Sequence, residues 1–297
     1  MIYSRNIGDC RVTNVIEYCG PTHPPAMAFP GCDPEVIQRN SDWLDNNHYF
    51  ANIDRFVIAI QMWIVHFQDR VILIDAGVGN AKDRTGIDRM HMLNTLVPLW
   101  FEAAGAGFDQ VTDVVMTHLH VDHVGWNTVP DGKGGWQLAF PNAQYHLPAA
   151  DLDHFRSTPY VAKDPGFDDS VQPVLDSGRY QLVQPGDCVA DVLHAELAPG
   201  HTPGQLIYWL GEPEGDAVFS ADIFHHPIQI TEPQINSAFC SDPDAARSTR
   251  RAFLDRVSES GALIMPCHFG APHCGHARKQ GDGFRFEPAA FAAAGKL

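Results

Sequence analysis

The chain has 297 residues, 44% of them apolar and 19% charged, a composition that excludes a disordered polymer and leaves ample length for a buried core. Thirty-six acidic against 20 basic residues give a formal charge of −16, which argues against a nucleic-acid partner or an anionic membrane surface, since both call for basic faces. Seven cysteines without a paired framework fit a reducing compartment, and with no apolar leader after Met1 and no run long enough to span a bilayer, the cytoplasm is the expected location.

Cys10 to Tyr18 alternates in the manner of a first strand. Residues 20–52 follow as a long irregular stretch carrying Phe29, Trp43, Tyr49 and Phe50. A segment of that length is expected to act as a lid or a dimer contact on an otherwise single domain spanning 1–297. Phe56 to Val65 and Arg70 to Ile74 read as buried strands joined at Gln68-Asp69, and the second ends in the glycine-rich turn Asp75-Ala-Gly-Val-Gly79. That turn is not a phosphate loop, because no Gly-Lys-Ser/Thr follows it. Helical spacing runs from Met90 to Ala104, with Pro98 as a kink.

Val111, Val114, Val115 and Met116 form the next strand, which should break into a loop at Thr117-His118. Gln144 to His146 reads as a short strand, Pro148 to Arg156 as a short helix, and Pro159 to Ser177 as irregular and acidic. Tyr180 to Ala198 supplies two or three strands; Leu206 to Leu210 and Ala217 to Ser220 supply two more. The clearest helix is Pro243 to Ser260. Asp242 is its N-cap, Pro243 its first residue, Ala246, Phe253 and Val257 its core face, and Gly261 its stop. Leu263 to Met265 is a strand leading into Pro266-Cys-His268. Strands and helices alternate in this way along an α/β chain.

Chemistry concentrates just past the strand that ends at Met116. His118, His120, Asp122 and His123 fall within six residues, and imidazole with carboxylate suits zinc and other first-row metals. Further ligands are expected just past strand ends, where a loop can aim a side chain into a cleft. His201, Asp222 and His268 qualify. Seven ligands exceed what one zinc takes and imply two metals. The spacing suggests His118, His120 and His201 on one metal and Asp122, His123 and His268 on the other, with Asp222 bridging and a hydroxide held between.

His118-Leu-His120-Val-Asp122-His123, followed in order by His201, Asp222 and His268, resembles the metallo-β-lactamase superfamily over most of the chain. The resemblance implies a four-layer αβ/βα sandwich with two divalent metals, zinc above all, with manganese, cobalt or iron as alternatives. Asp222 stands where the true β-lactamases carry Cys or Ser. The tail after His268 is too short for the helical region of glyoxalase-II-like thioesterases. What remains looks most like the branch of methyl parathion hydrolase and the acyl-homoserine lactonases. That implies hydrolysis of a lactone or carboxylic (aryl) ester, Asp122 and Asp222 serving the chemistry, and a homodimer. A phosphotriester is the alternative substrate, and a mononuclear-iron sulfur dioxygenase a more distant one.

Other residues carry smaller expectations. His225 stands where lactonases of this group often place a tyrosine, and is a candidate substrate contact or proton donor; His226, before a proline, reads as structural. Gln205 replaces a histidine common after Thr-Pro-Gly. Asp75 is expected to hydrogen-bond a ligand histidine, and Trp126 to line the pocket or pack in the core. Cys267, His273, Cys274 and His276 lack the paired spacing of a zinc finger and read as a loop with incidental ligand types.

Overall fold

Apolar runs become strands where the expected turns bound them. The computed structural model describes residues 2–44, 47–157 and 166–293. Arg55–Phe67 and Arg70–Ile74 pair antiparallel, and Gln68 adopts a φ of 53° at the turn between them. Arg70–Ile74, Asp113–Val115, Gln144–Pro148 and Tyr180–Val183 then run parallel in that order. On the other side of Arg55–Phe67 come Cys10–Pro21, Ile2–Ile7 and Ala292–Ala293, completing with Tyr49–Phe50 a sheet of nine strands among the described residues.

Among the described residues a second sheet of seven strands runs Cys188–Val189, Leu193–Leu197, Leu206–Leu210, Ala217–Ala221, Leu263–Pro266, Gly275–Gln280 and Gly283–Pro288. Its parallel step, Ala217–Ala221 beside Leu263–Pro266, is the one whose connection is the long helix. The C-terminal hairpin, turning at Gly281 with φ 58°, is legible only as alternation in Gly-Phe-Arg-Phe-Glu287.

Contacts divide the chain into two compact units. The first comprises Met1–Glu17, Ile60–Ala195 and Ala292–Leu297, and the second Tyr18–Ala59 and Glu196–Phe291. The core of the first is built from Val15, Met62, Leu73, Phe101, Val114, Trp126, Phe140 and Tyr145 among others. That of the second gathers Trp209, Phe224, Phe253, Ile264, Phe269 and Phe286. Within 20–52 the stretch is less irregular than its sequence suggests. Pro25–Ala28 and Pro34–Arg39 are short helices, the latter capped by Asp33, whose carboxylate accepts from Val36 N at 3.0 Å. Ala28, Phe29, Cys32, Val36 and Leu44 cluster with Phe56, Ile228 and Ile235.

The helix Pro243–Ser260 forms as expected. Asp242 accepts from Asp244 N and Ala245 N, and Gly261 closes the helix at φ 77°. Two expectations are corrected. The helix read from Met90 begins at Val97 and ends at Ala103, because Pro98 fits the first turn of a helix but not its interior. Of the stretch read as irregular, Phe167–Val171 and Gln172–Ser177 are helical, Pro173 again occupying a first turn. Residues 159–165 of it lie outside the described residues. Among the described residues no helix is long and apolar enough to cross a membrane.

Candidate metal centre

In the first unit the expected cluster forms at the end of Asp113–Val115. His120 precedes a four-residue helix, Val121–Val124, which carries Asp122 and His123. His118 and His123 are fully buried, and their rings lie 4.0 Å apart. His118 Nε2 and His120 Nδ1 converge to 3.1 Å, and His123 Nε2 lies 3.8 Å from Asp122 Oδ1.

Asp75 decides which ring nitrogens are presented. A carboxylate only accepts, so His123 Nδ1–H donates to Asp75 Oδ2 at 2.9 Å and the Thr117 hydroxyl donates to the same oxygen at 2.8 Å. With its one proton spent there, Thr117 Oγ1 accepts from His118 Nδ1 at 3.0 Å. One buried aspartate therefore sets two imidazole tautomers, and both rings present the Nε2 lone pair that a metal takes. The expectation for Asp75 holds, and extends to a second histidine.

The turn that carries Asp75 is locked to the ligand helix by backbone. Ala76 N donates to His123 O at 2.6 Å, Gly125 N to Gly77 O at 2.7 Å, and Trp126 N to Ala76 O at 2.6 Å. The approach is so close that a Cβ on Gly125 would stand 1.8 Å from Val78 O. Trp126 is 1% exposed and packs in the core.

The second unit gathers His201, Asp222, His225 and His268, all at most 4% exposed. Asp222 follows the strand Ala217–Ala221 and His268 follows Leu263–Pro266, so two neighbouring parallel strands deliver them from the same end. Asp222 Oδ2 has three imidazole nitrogens around it: His268 Nε2 at 3.1 Å, His201 Nε2 at 3.2 Å and His225 Nε2 at 3.3 Å. The other nitrogen of His268 donates to Ala59 O at 2.8 Å, which again leaves Nε2 as the presented atom.

His201 is placed by its backbone. Gly200 adopts φ 129°, and a Cβ there would meet Ala246 N at 2.2 Å, so this loop sits directly on the first turn of the long helix. Ser241 N and Asp242 N bond the carbonyls of His201 and Gly200, both at 2.9 Å. Gln205 accepts from Asp222 N at 3.2 Å and donates to Ala198 O.

His225 stacks on His268 with centroids 5.4 Å apart, and burial lowers its pKa. Phe239, 46% exposed, lies edge-on to His23 and 5.9 Å from the His225 ring. His226 is structural, as expected: Nε2 donates to His48 O, Nδ1 accepts from Ile228 N, and burial holds it neutral. His273, Cys274 and His276 are likewise tied to backbone, with His273 bonded to Phe269 O, Cys274 to Ala289 O, and His276 to Gly261 O.

Two functional supports were missed in the sequence. Arg250 is fully buried and bonds Ile223 O, Pro233 O, Ile235 O and Asn236 Oδ1, pinning the segment after Asp222. Its signal was an arginine on the helix face shared by Ala246, Phe253 and Val257. Glu17 is buried beneath the Asp75–Gly79 turn, and its signal was a lone carboxylate in an apolar strand.

Divalent metal fits both sets by donor chemistry. Each offers buried imidazole nitrogens and carboxylate oxygens crowded within bonding reach, and the far side of His118, His123 and His268 is already fixed.

A sequence profile described as the Metallo-beta-lactamase superfamily matches residues 56–268. Among curated protein sequences none matches significantly. Solved structures do. The dizinc quorum-quenching lactonase AidC, in complex with a product N-hexnoyl-L-homoserine, aligns over 98% of both chains at 18% identity with a TM-score of 0.82. The hydrolase AbOPH of the beta lactamase superfamily aligns over 98% of both at 23% identity and 0.80. A probable metal-dependent hydrolase from Staphylococcus aureus covers 99% of this chain and 100% of its own at 15% identity and 0.75. Together they show that the α/β fold expected from the sequence is the one this chain adopts.

Proposed function

The chain belongs to the metallo-β-lactamase superfamily, a superfamily of metal-dependent hydrolases, and we propose that within it this protein is a dinuclear hydrolase of lactones or carboxylic (aryl) esters. The observation that carries this reading is the crowding of three imidazole nitrogens within 3.3 Å of one Asp222 oxygen. His118, His120 and His201 would hold one ion, Asp122, His123 and His268 the other, and Asp222 would be shared. Divalent metals, when bound, bring water to a pKa near 7 and polarise a carbonyl oxygen.

The chain's own residues do the rest. Asp75 and Ala59 O hold the tautomers of His118, His123 and His268, so ligation costs no rearrangement of those rings. Asp222, with two oxygens, accepts a proton during attack and passes it on. His225 stands beside it, neutral under burial, with a ring that can donate to the leaving oxygen. Phe239 gives an exposed aromatic face next to His225 for an acyl or aryl group.

The same reading includes a cytoplasmic homodimer in which residues 20–52 serve as lid or subunit contact; mass measurement in solution with and without that segment tests the contact. A phosphotriester is the second reading, favoured by His225 in place of the tyrosine of lactonases.

The test is a panel of lactones, aryl esters and phosphotriesters on metal-reconstituted protein, ranked by kcat/KM. Turnover should vanish on chelation and return with zinc, cobalt or manganese. Retention of full activity in His120→Ala, or one iron per chain with oxygen uptake, would overturn the proposal.

A further inference from the structure

Glu17 sits in the strand Cys10–Pro21, among Val12, Val15 and Ile16, and is 7% exposed. Its carboxylate is the hub of a small network. Oε2 accepts from Val78 N at 2.6 Å, and Oε1 accepts from Gly79 N at 3.2 Å and from Trp126 Nε1 at 2.7 Å. Val78 and Gly79 offer consecutive amides flanked by positive φ at Gly77 (52°) and Gly79 (82°), the concave backbone arrangement that binds anions. Here the group it cradles is the protein's own carboxyl. The turn is shaped around it, since a Cβ on Gly77 would stand 2.4 Å from Glu17 Oε2.

Burial and the nearby carboxylate of Asp122 both work against ionising Glu17. Burying a carboxylate is expensive, and an amide or an apolar side chain would fill the space at less cost. What the carboxylate adds is the ability to gather three donors that belong to two different segments. One is the turn that begins at Asp75, the other the turn Gly125–Asn127 that follows Val121–Val124 and carries Trp126. The turn in turn bonds His123 O through Ala76 N, and His123 Nδ1 through Asp75.

We propose that Glu17 is a positioning residue of the metal centre: its carboxylate pins the Asp75–Gly79 turn to Trp126 and thereby fixes the seat and tautomer of His123. This rests on the dinuclear reading above, and the geometry behind it lies wholly within the first unit. Glu17 touches no ligand and acts through the turn.

The experiment compares Glu17→Gln, Glu17→Asp and Trp126→Phe with wild type. Far-UV circular dichroism establishes that each is folded. Cobalt(II) titration then reads affinity and the visible spectrum, and amide exchange of Val78 and Gly79 is followed in the metal-free protein. Glu17→Gln turns an NH2 toward the backbone amides and is expected to lose ~10- to 100-fold in cobalt affinity, as removal of outer-shell partners does. Its spectrum should shift, amides 78 and 79 should exchange faster, and kcat should fall with little change in KM. Glu17→Asp keeps the carboxyl group and should recover part of each loss.

A folded Glu17→Gln with wild-type affinity, spectrum and exchange overturns the inference. If Glu17→Gln does not fold, Trp126→Phe decides, since it removes one donor and leaves the carboxylate: wild-type values there overturn it, and a shifted spectrum with weaker affinity supports it. If wild type itself binds no cobalt, the dinuclear reading fails instead, while amide exchange still reports on the turn.

Discussion

Replacing Gly125 by alanine probes the contact on which the ligand helix rests. The added Cβ would lie 1.8 Å from Val78 O and 2.0 Å from Val78 C, both backbone atoms that cannot rotate away. An ordinary carbon–oxygen contact is about 3.3 Å, so the turn and the helix must part by roughly 1.5 Å. Three short hydrogen bonds cross that seam: Ala76 N to His123 O, Gly125 N to Gly77 O and Trp126 N to Ala76 O. At about 1 kcal/mol each, with ~1–3 kcal/mol for overpacking, the substitution is expected to cost about 4–6 kcal/mol. That is a large share of the ~5–15 kcal/mol that holds a typical domain together. Urea unfolding of the metal-free protein gives the loss directly, and a cobalt titration of whatever remains folded should show weakened binding. A Gly125→Ala protein within ~0.5 kcal/mol of wild type would mean that the seam is not as tight as described, and that the rigidity assigned to His123 has another origin.

Three more outcomes follow from the same chemistry. Asp75→Ala should weaken metal binding by ~10- to 100-fold in calorimetric titration, because His123 loses its acceptor and the Thr117 hydroxyl loses the one that turns its lone pair toward His118; unchanged affinity would contradict that role. Arg250→Met should lower unfolding free energy by about 3 kcal/mol, since it strands several buried carbonyls, and should speed amide exchange in residues 223–236; a neutral result would remove Arg250 from the support of Asp222. The third concerns pH. Burial pushes the Glu17 pKa up from 4.5 to about 7, so the folded state holds this proton where the unfolded state has released it. The contribution to stability is therefore lost as pH rises from about 4.5 to 7, and amounts to roughly 3 kcal/mol at about 1.4 kcal/mol per unit. Metal-free wild type should lose that much more over the window than Glu17→Gln, and parallel stability curves would refute the shift.

The candidate site was legible because four of its residues are crowded into His118–His123 and because His201, Asp222 and His268 each follow a recognisable strand. The helix Pro243–Ser260 was legible for an equally local reason: cap, first-turn proline and stop glycine lie within the element. Proline misled at Pro98, read as a kink inside a helix when it stands in the first turn of one. Glu17 and Arg250 escaped for a different reason. Their partners lie 61 and 109 residues away for Glu17, and 14 to 27 away for Arg250, and no window of sequence reports such a meeting. The charge of a buried residue can be seen in the sequence; what satisfies it cannot.

The bare seat of Gly200 on Ala246 has a consequence for redesign. No side chain cushions the loop that carries His201 from the first turn of the long helix, so repacking that turn for thermostability moves His201 directly. Phe239, 46% exposed and beside His225, carries no such burden. Libraries aimed at a new substrate should randomise that position and freeze residues 199–202 and 242–246, where tolerance to mutation is expected to be lowest.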